Sequence, residues 1–175
     1  MTRVEQLYHY LVTGIGSIPG VFYCGSFPRR MDKIRLPGVF IDLTELESVA
    51  DPGTGELALV SHWEARVVVH ESLTDSGSLL RHLVVSVMYW LFSDTFPPVN
   101  IHHAQLKQAS PDHFSQELQG HLVWVIEWSQ LIREGVSVWD GDDVVPVEVW
   151  VQTSGGGYVL LNEDPADDLS GGSHD

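Results

Sequence analysis

Hydrophobic and polar residues alternate along the middle of this chain with two different periods. From Leu57 to Val69, Leu57, Leu59, Trp63, Ala65, Val67 and Val69 stand at alternate positions, opposite His62, Glu64, Arg66 and His70. A period of two predicts a strand with one buried face. From Leu79 to Leu91 the spacing changes: Leu80, Leu83, Val84, Val87, Met88 and Leu91 recur every three or four residues, the apolar stripe of a helix. The run from His121 to Ile132 returns to alternation, with Leu122, Trp124, Ile126 and Trp128 on one face. These patterns predict a helix laid across a sheet.

The flanking segments extend this scheme. Thr2 is a candidate cap for a helix with a Val4, Leu7, Tyr8 and Leu11 stripe, ending near Gly14 and Gly16. Short strands are predicted at Val21 to Cys24 and Val39 to Leu46. The turn residues Asp51-Pro-Gly-Thr-Gly55 should fold the second of these back onto the strand from Leu57. Phe96-Pro-Pro98 ends the central helix region. Asn100 to Lys107 is a further strand candidate, and a polar connection from Ser110 to Gln119 leads into the Trp-bearing strand. The expectation is an α+β fold: an antiparallel sheet of about four strands with an N-terminal and a central helix.

Beyond Gly135, Val136 to Trp139 and Val144 to Val151 alternate around Asp140-Gly-Asp-Asp143, and Tyr158 to Leu161 is placed to pair with them. This predicts an appended hairpin within a single domain spanning residues 1–161. Residues 162–175 are acidic, glycine-rich and poor in large apolar groups, so they are expected to be a disordered tail.

Length and composition narrow the class. A chain of 175 residues with 43% hydrophobic residues and six Trp can build one sizeable core, and no apolar run reaches the ~20 residues needed to span a bilayer. A soluble protein without a secretion signal is expected, made in a reducing compartment, since the single Cys24 forbids an internal disulfide.

The charge of −15 is concentrated at one end. Residues 1–133 hold all nine cationic side chains against fourteen acids, whereas residues 134–175 hold ten acids and no base. Tight nucleic-acid binding relies on cations that displace counterions from phosphate, so this balance opposes it, while a repelling wall beside DNA is compatible with it.

Candidate chemistry is sparse. His102, His103, His113 and His121 cluster in sequence, but neighbouring strand residues point to opposite faces and no His-Glu-x-x-His or paired-cysteine spacing occurs. Neither a metal nor another cofactor is expected. There is no Gly-x-Ser-x-Gly turn, and Cys24 in an apolar strand reads as a small core side chain. Gly14-Ile-Gly-Ser-Ile-Pro19 follows a helix instead of a strand and lacks the third glycine of a dinucleotide loop. The chain does not read as an enzyme.

Two features read instead as contact surfaces. Arg29, Arg30, Lys33 and Arg35 put four cations in seven residues between prolines, an exposed basic loop suited to an acidic neighbour. Asp140, Asp142 and Asp143 form the second candidate interface; its alternative is a solvated hairpin tip. In addition, Val68, Val123 and Val125 lie on the sheet face opposite the main core. Either the N-terminal helix and appended hairpin cover them, or another subunit does.

The order of parts resembles that of the tail terminator, or tail completion, proteins of long-tailed bacteriophages. The likeness rests on the N-terminal helix, the Leu-Pro-Gly-Val39 lead-in to the first long strand, and Trp63-Glu-Ala-Arg-Val-Val-Val-His70. It continues through the helix Leu79 to Leu91 and Trp128-Ser-Gln-Leu-Ile-Arg-Glu-Gly135, covering roughly residues 1–135. The resemblance implies a virion protein in a hexameric ring that caps the tail tube, ends its polymerisation and joins the tail to the head. Its implied partners are further copies of itself, the tail-tube protein and the head or neck connector proteins, with DNA passing through without specific binding. A head-tail connector or another tube-associated adaptor is the alternative.

Overall fold

The computed structural model describes residues 1–27, 33–51, 53–93, 97–98, 100–112, 120–139, 150–152 and 158–160. They fall into two units, Met1–Val138 and Trp139–Asp175. In the first unit the order is α1 (Arg3–Gly16), β1 (Tyr23–Gly25), β2 (Gly38–Ser48), β3 (Leu57–His70), α2 (Ser76–Ser93), β4 (Gln105–Pro111) and β5 (His121–Glu134). The second contains β6 (Trp150–Gln152) paired antiparallel with β7 (Tyr158–Leu160).

Helix α1 forms where its sequence permits it. The Thr2 side chain accepts a hydrogen bond from the Glu5 amide at 3.3 Å, and the Ser17 amide closes the other end on the carbonyls of Gly14 and Ile15. Leu7, Leu11 and Ile15, four residues apart, are buried. On α2 the buried set is Leu80, Leu83, Val84, Val87 and Leu91. The two helices cross where Gly14 meets the Trp90 indole; a Cβ on Gly14 would fall inside that ring.

The sheet is centred on β3 and β5, which pair in antiparallel register from Leu57↔Glu134 to His70↔His121. Trp63↔Trp128, Ala65↔Ile126, Val67↔Trp124 and Val69↔Leu122 all face the helix layer, where each large buried side chain contributes about 1.5–3 kcal/mol. Two polar residues are buried on this same face. Ser61 Oγ accepts from Trp63 Nε1 at 2.9 Å and donates to the Gln130 carbonyl; Gln130 Oε1 accepts from Trp128 Nε1 at 3.1 Å, and Gln130 Nε2 donates to the His102 carbonyl. Both indole N–H groups are therefore satisfied inside the core.

The strand order is β1-β2-β3-β5-β4, a mixed sheet of five strands instead of about four antiparallel ones. The fifth is β1, whose three residues pair in parallel with Gly38, Val39 and Phe40. A three-residue strand has too little alternation to reveal its direction. Beyond Phe40, β2 runs on to Ser48 with β3 on one side and, among the described residues, no strand on the other. The predicted strand at Asn100 to Lys107 is displaced: Ile101 makes one isolated bridge to Ile132, and β4 begins at Gln105. Its terminal Pro111 fits an edge strand, where a missing donor costs little.

Val136 to Trp139 is not a strand. The Val138 amide instead donates to the Thr54 carbonyl at 2.8 Å, against the β2–β3 turn. Of the predicted appended hairpin, the turn and most of the Val144 to Val151 limb, residues 140–149, lie outside the described residues, as does the expected tail, residues 162–175.

Coverage of the second sheet face also differs from expectation. Helix α1 packs on the same face as α2. Phe40, Val68 and Val123 on the far face are instead covered by Tyr23, Phe27, Ile34 and Leu36, from β1 and the segment that carries the basic residues.

Candidate functional site

Apart from that small apolar cluster, the far face of the sheet is charged. The alternation that turns Trp63, Ala65 and Val67 inward turns His62, Glu64 and Arg66 outward, and the registers place Asp42 beside Glu64 and Glu127 on its other side. A bulge between Leu43 and Glu45 shifts the register of β2, so that Glu45 pairs with His62 and Glu47 with Val60.

Arg66 is the hub. Its NH2 lies 2.8 Å from Glu64 Oε2, its NH1 3.4 Å from Asp42 Oδ2 and its Nε 3.4 Å from Asp112 Oδ2, so one guanidinium serves carboxylates from β2, β3 and the end of β4. Its side chain is only 25% exposed, and that of Asp112 only 9%. Lower on the face, Lys107 Nζ is 2.7 Å from His62 Nδ1, and His62 Nε2 is 3.6 Å from Glu47 Oε2. Glu127 accepts from Gln108 Nε2 at 2.9 Å. Asp42, Glu45, Glu47, Glu64, Asp112 and Glu127 thus share the face with the cations Arg66, Lys107 and, at its far end, Arg133, which leaves it net acidic.

The sequence-predicted contact residues lie elsewhere. Lys33 and Arg35 are exposed at the other end of the sheet, and the Arg35 guanidinium carbon sits 4.0 Å over the Phe22 ring, a cation–π contact within the chain. Arg29, Arg30, Asp140, Asp142 and Asp143 are outside the described residues. The charged face was missed as a site because its residues are scattered from 42 to 127. The available signal was the polar half of the alternation at His62, Glu64 and Arg66.

The arrangement offers little for covalent chemistry. Among the described residues no group of three or more His, Cys, Asp or Glu side chains is placed to hold a metal ion. His102 and His103 are exposed, His121 packs its ring 5.1 Å from that of His70, and His113 is outside the described residues. Burial pushes the Cys24 thiol up to about 12, so it stays protonated at neutral pH and is a poor nucleophile. Among the described residues, no helix is long and apolar enough to cross a membrane.

The sequence matches no protein-family model and no curated protein. Among solved structures, this chain is similar to one from the virion of a native gene transfer agent (GTA) particle, with 12% identity and a TM-score of 0.42. The match covers 77% of this chain and 92% of that one.

Proposed function

We propose that this protein is a structural, non-catalytic virion subunit that forms a ring at the end of a phage-type tail tube, stops the tube's growth and joins it to the head side. The observation that carries this reading is the acidic sheet face around Arg66, bordered by edges of β2 and β4 that have no further strand beside them among the described residues. Placed on the inner wall of a ring, such a face repels phosphate, so DNA slides past without sticking. Open edges that would be an aggregation hazard in a monomer suit lateral pairing between subunits. A hexamer and capping of the tube are what the resemblance to tail terminators implies. On this reading Lys33 and Arg35, with Arg29 and Arg30, meet an acidic neighbour.

The test mixes the protein with polymerising tail-tube protein from the same particle and measures tube lengths by negative-stain imaging. A terminator shortens the tubes in proportion to its concentration and leaves ring density at one end. Tubes of unchanged length overturn the capping role, and binding to the head-side portal without an effect on length would identify a connector.

A further inference from the structure

The helix layer carries two apolar features on opposite flanks that the fold itself does not use. The first is on α2. Opposite its buried residues, Val85, Tyr89 and Phe92 are 64%, 68% and 76% exposed. Their spacing of four and three makes a single stripe. Trp90 marks the flank facing α1, through Gly14 and Tyr10. At 100° per residue the stripe lies across the helix axis from Trp90, turned away from α1.

The second feature is an open cleft of about 230 Å³ between α1 and β2, floored by Val4, Tyr8, Leu43 and Trp63. It sits where β2 has passed beyond its pairing with β1. Leu46 and Leu57, 46% and 52% exposed, continue the apolar surface past it on the helix side of the β2–β3 hairpin. Helix α1 lies toward β1 and β2, and α2 lies over β3, β5 and β4, so cleft and stripe are at opposite sides of the unit.

Size and charge select the occupant. The cleft is smaller than the ~300–1,000 Å³ of small-molecule sites and suits one or two side chains. Its rim carries two carboxylates, Glu5 and Asp42, and, among the described residues, no cation. Helix α2 carries Arg81 and His82 and not one acid between Ser76 and Ser93, the reverse of the chain's −15 balance. The complement of the cleft is thus present on the chain itself.

We propose that the Val85, Tyr89 and Phe92 stripe of one copy seats in the α1–β2 cleft of the next, a head-to-tail contact between copies of this chain. The inference rests on the ring reading and specifies the contact that builds the ring. Two different patches on opposite flanks form a heterologous interface, which repeats until rotation closes it.

Two surface variants test it by native mass spectrometry: Tyr89→Glu/Phe92→Glu, which spoils the stripe, and Leu43→Glu/Leu46→Glu, which spoils the cleft limb. The wild type should form the oligomer and each variant alone should be monomeric. Their equimolar mixture should form a heterodimer and nothing larger, because only one intact stripe and one intact cleft limb remain to meet. Circular dichroism checks that each variant folds, and Tyr89→Ser/Phe92→Ser replaces the first if it does not.

A wild-type-sized oligomer from either variant overturns the inference and leaves the ring reading standing. A cleft variant that still forms a homodimer points to stripe-on-stripe pairing and also overturns it. A wild type that stays monomeric, alone and with tube ends, overturns the ring reading and the inference together.

Discussion

Gly14 is the most constrained single position in the helix layer. Alanine is the better helix former by about 1 kcal/mol, yet here its methyl would occupy the space of the Trp90 ring. Gly14→Ala should destabilise the protein by about 1–3 kcal/mol in urea melts, and the cost should shrink in a Trp90→Leu background, because the two residues share one space. Asp51 is constrained through hydrogen bonds. Its Oδ1 accepts from the amides of Thr54 and Gly53 at 3.0 and 2.9 Å, and its Oδ2 from Gly55 at 3.2 Å. These bonds, led by that of Thr54, hold its carboxyl below the ordinary 3.8. A depressed folded value means that the turn's contribution is complete above the unfolded value and is lost as pH falls through the folded one. Amide exchange at Gly53 and Thr54 should therefore accelerate below about pH 4, corrected for intrinsic rates, whereas in Asp51→Asn the protection should no longer change in that window.

At the scale of elements, the charged face depends on Arg66. Arg66→Met leaves Asp42, Glu64 and Asp112 facing one another without their cation, which should cost about 2 kcal/mol at neutral pH. Part of that loss should return on adding Asp112→Asn, as read by denaturant midpoints. The same alternation explains what the sequence disclosed. Both helices and the long strands were legible because each buries one face over many residues, and the turn at Asp51 because it is built of turn-forming residues. The short strand at Tyr23–Gly25 was expected at Val21 to Cys24, but its parallel pairing was not legible, since three residues carry too little period to reveal direction. The displacement of β4 was not either, because Ile101 imitates the first residue of a strand while making only a single bridge. The candidate site was half legible: outward polar positions on β3 are visible, but their partners on β2, β4 and β5 come together only through register.

For the whole molecule, the arrangement separates functions by face. Within Met1–Val138 the helix side holds the main core and the exposed apolar residues, the far side holds the Arg66 charge network, and β2 and β4 pair with no further strand among the described residues. The cations at Lys33 and Arg35 also belong to this scale. Phe27, Ile34 and Leu36 anchor their segment over Phe40, Val68 and Val123, so any role it has toward a neighbour is performed from a fixed base.

The paired indoles at the centre have an optical consequence. Trp63 and Trp128 lie 6.4 Å apart with planes inclined by only 13°, and Tyr8 stacks on Trp63 at 6.5 Å. Both indole N–H groups are tied to side chains of their own strands, so the two transition dipoles are held at a fixed mutual angle. Indoles this close couple as excitons, so a circular-dichroism couplet lost in Trp128→Phe is the expected signature of β3 and β5 in register.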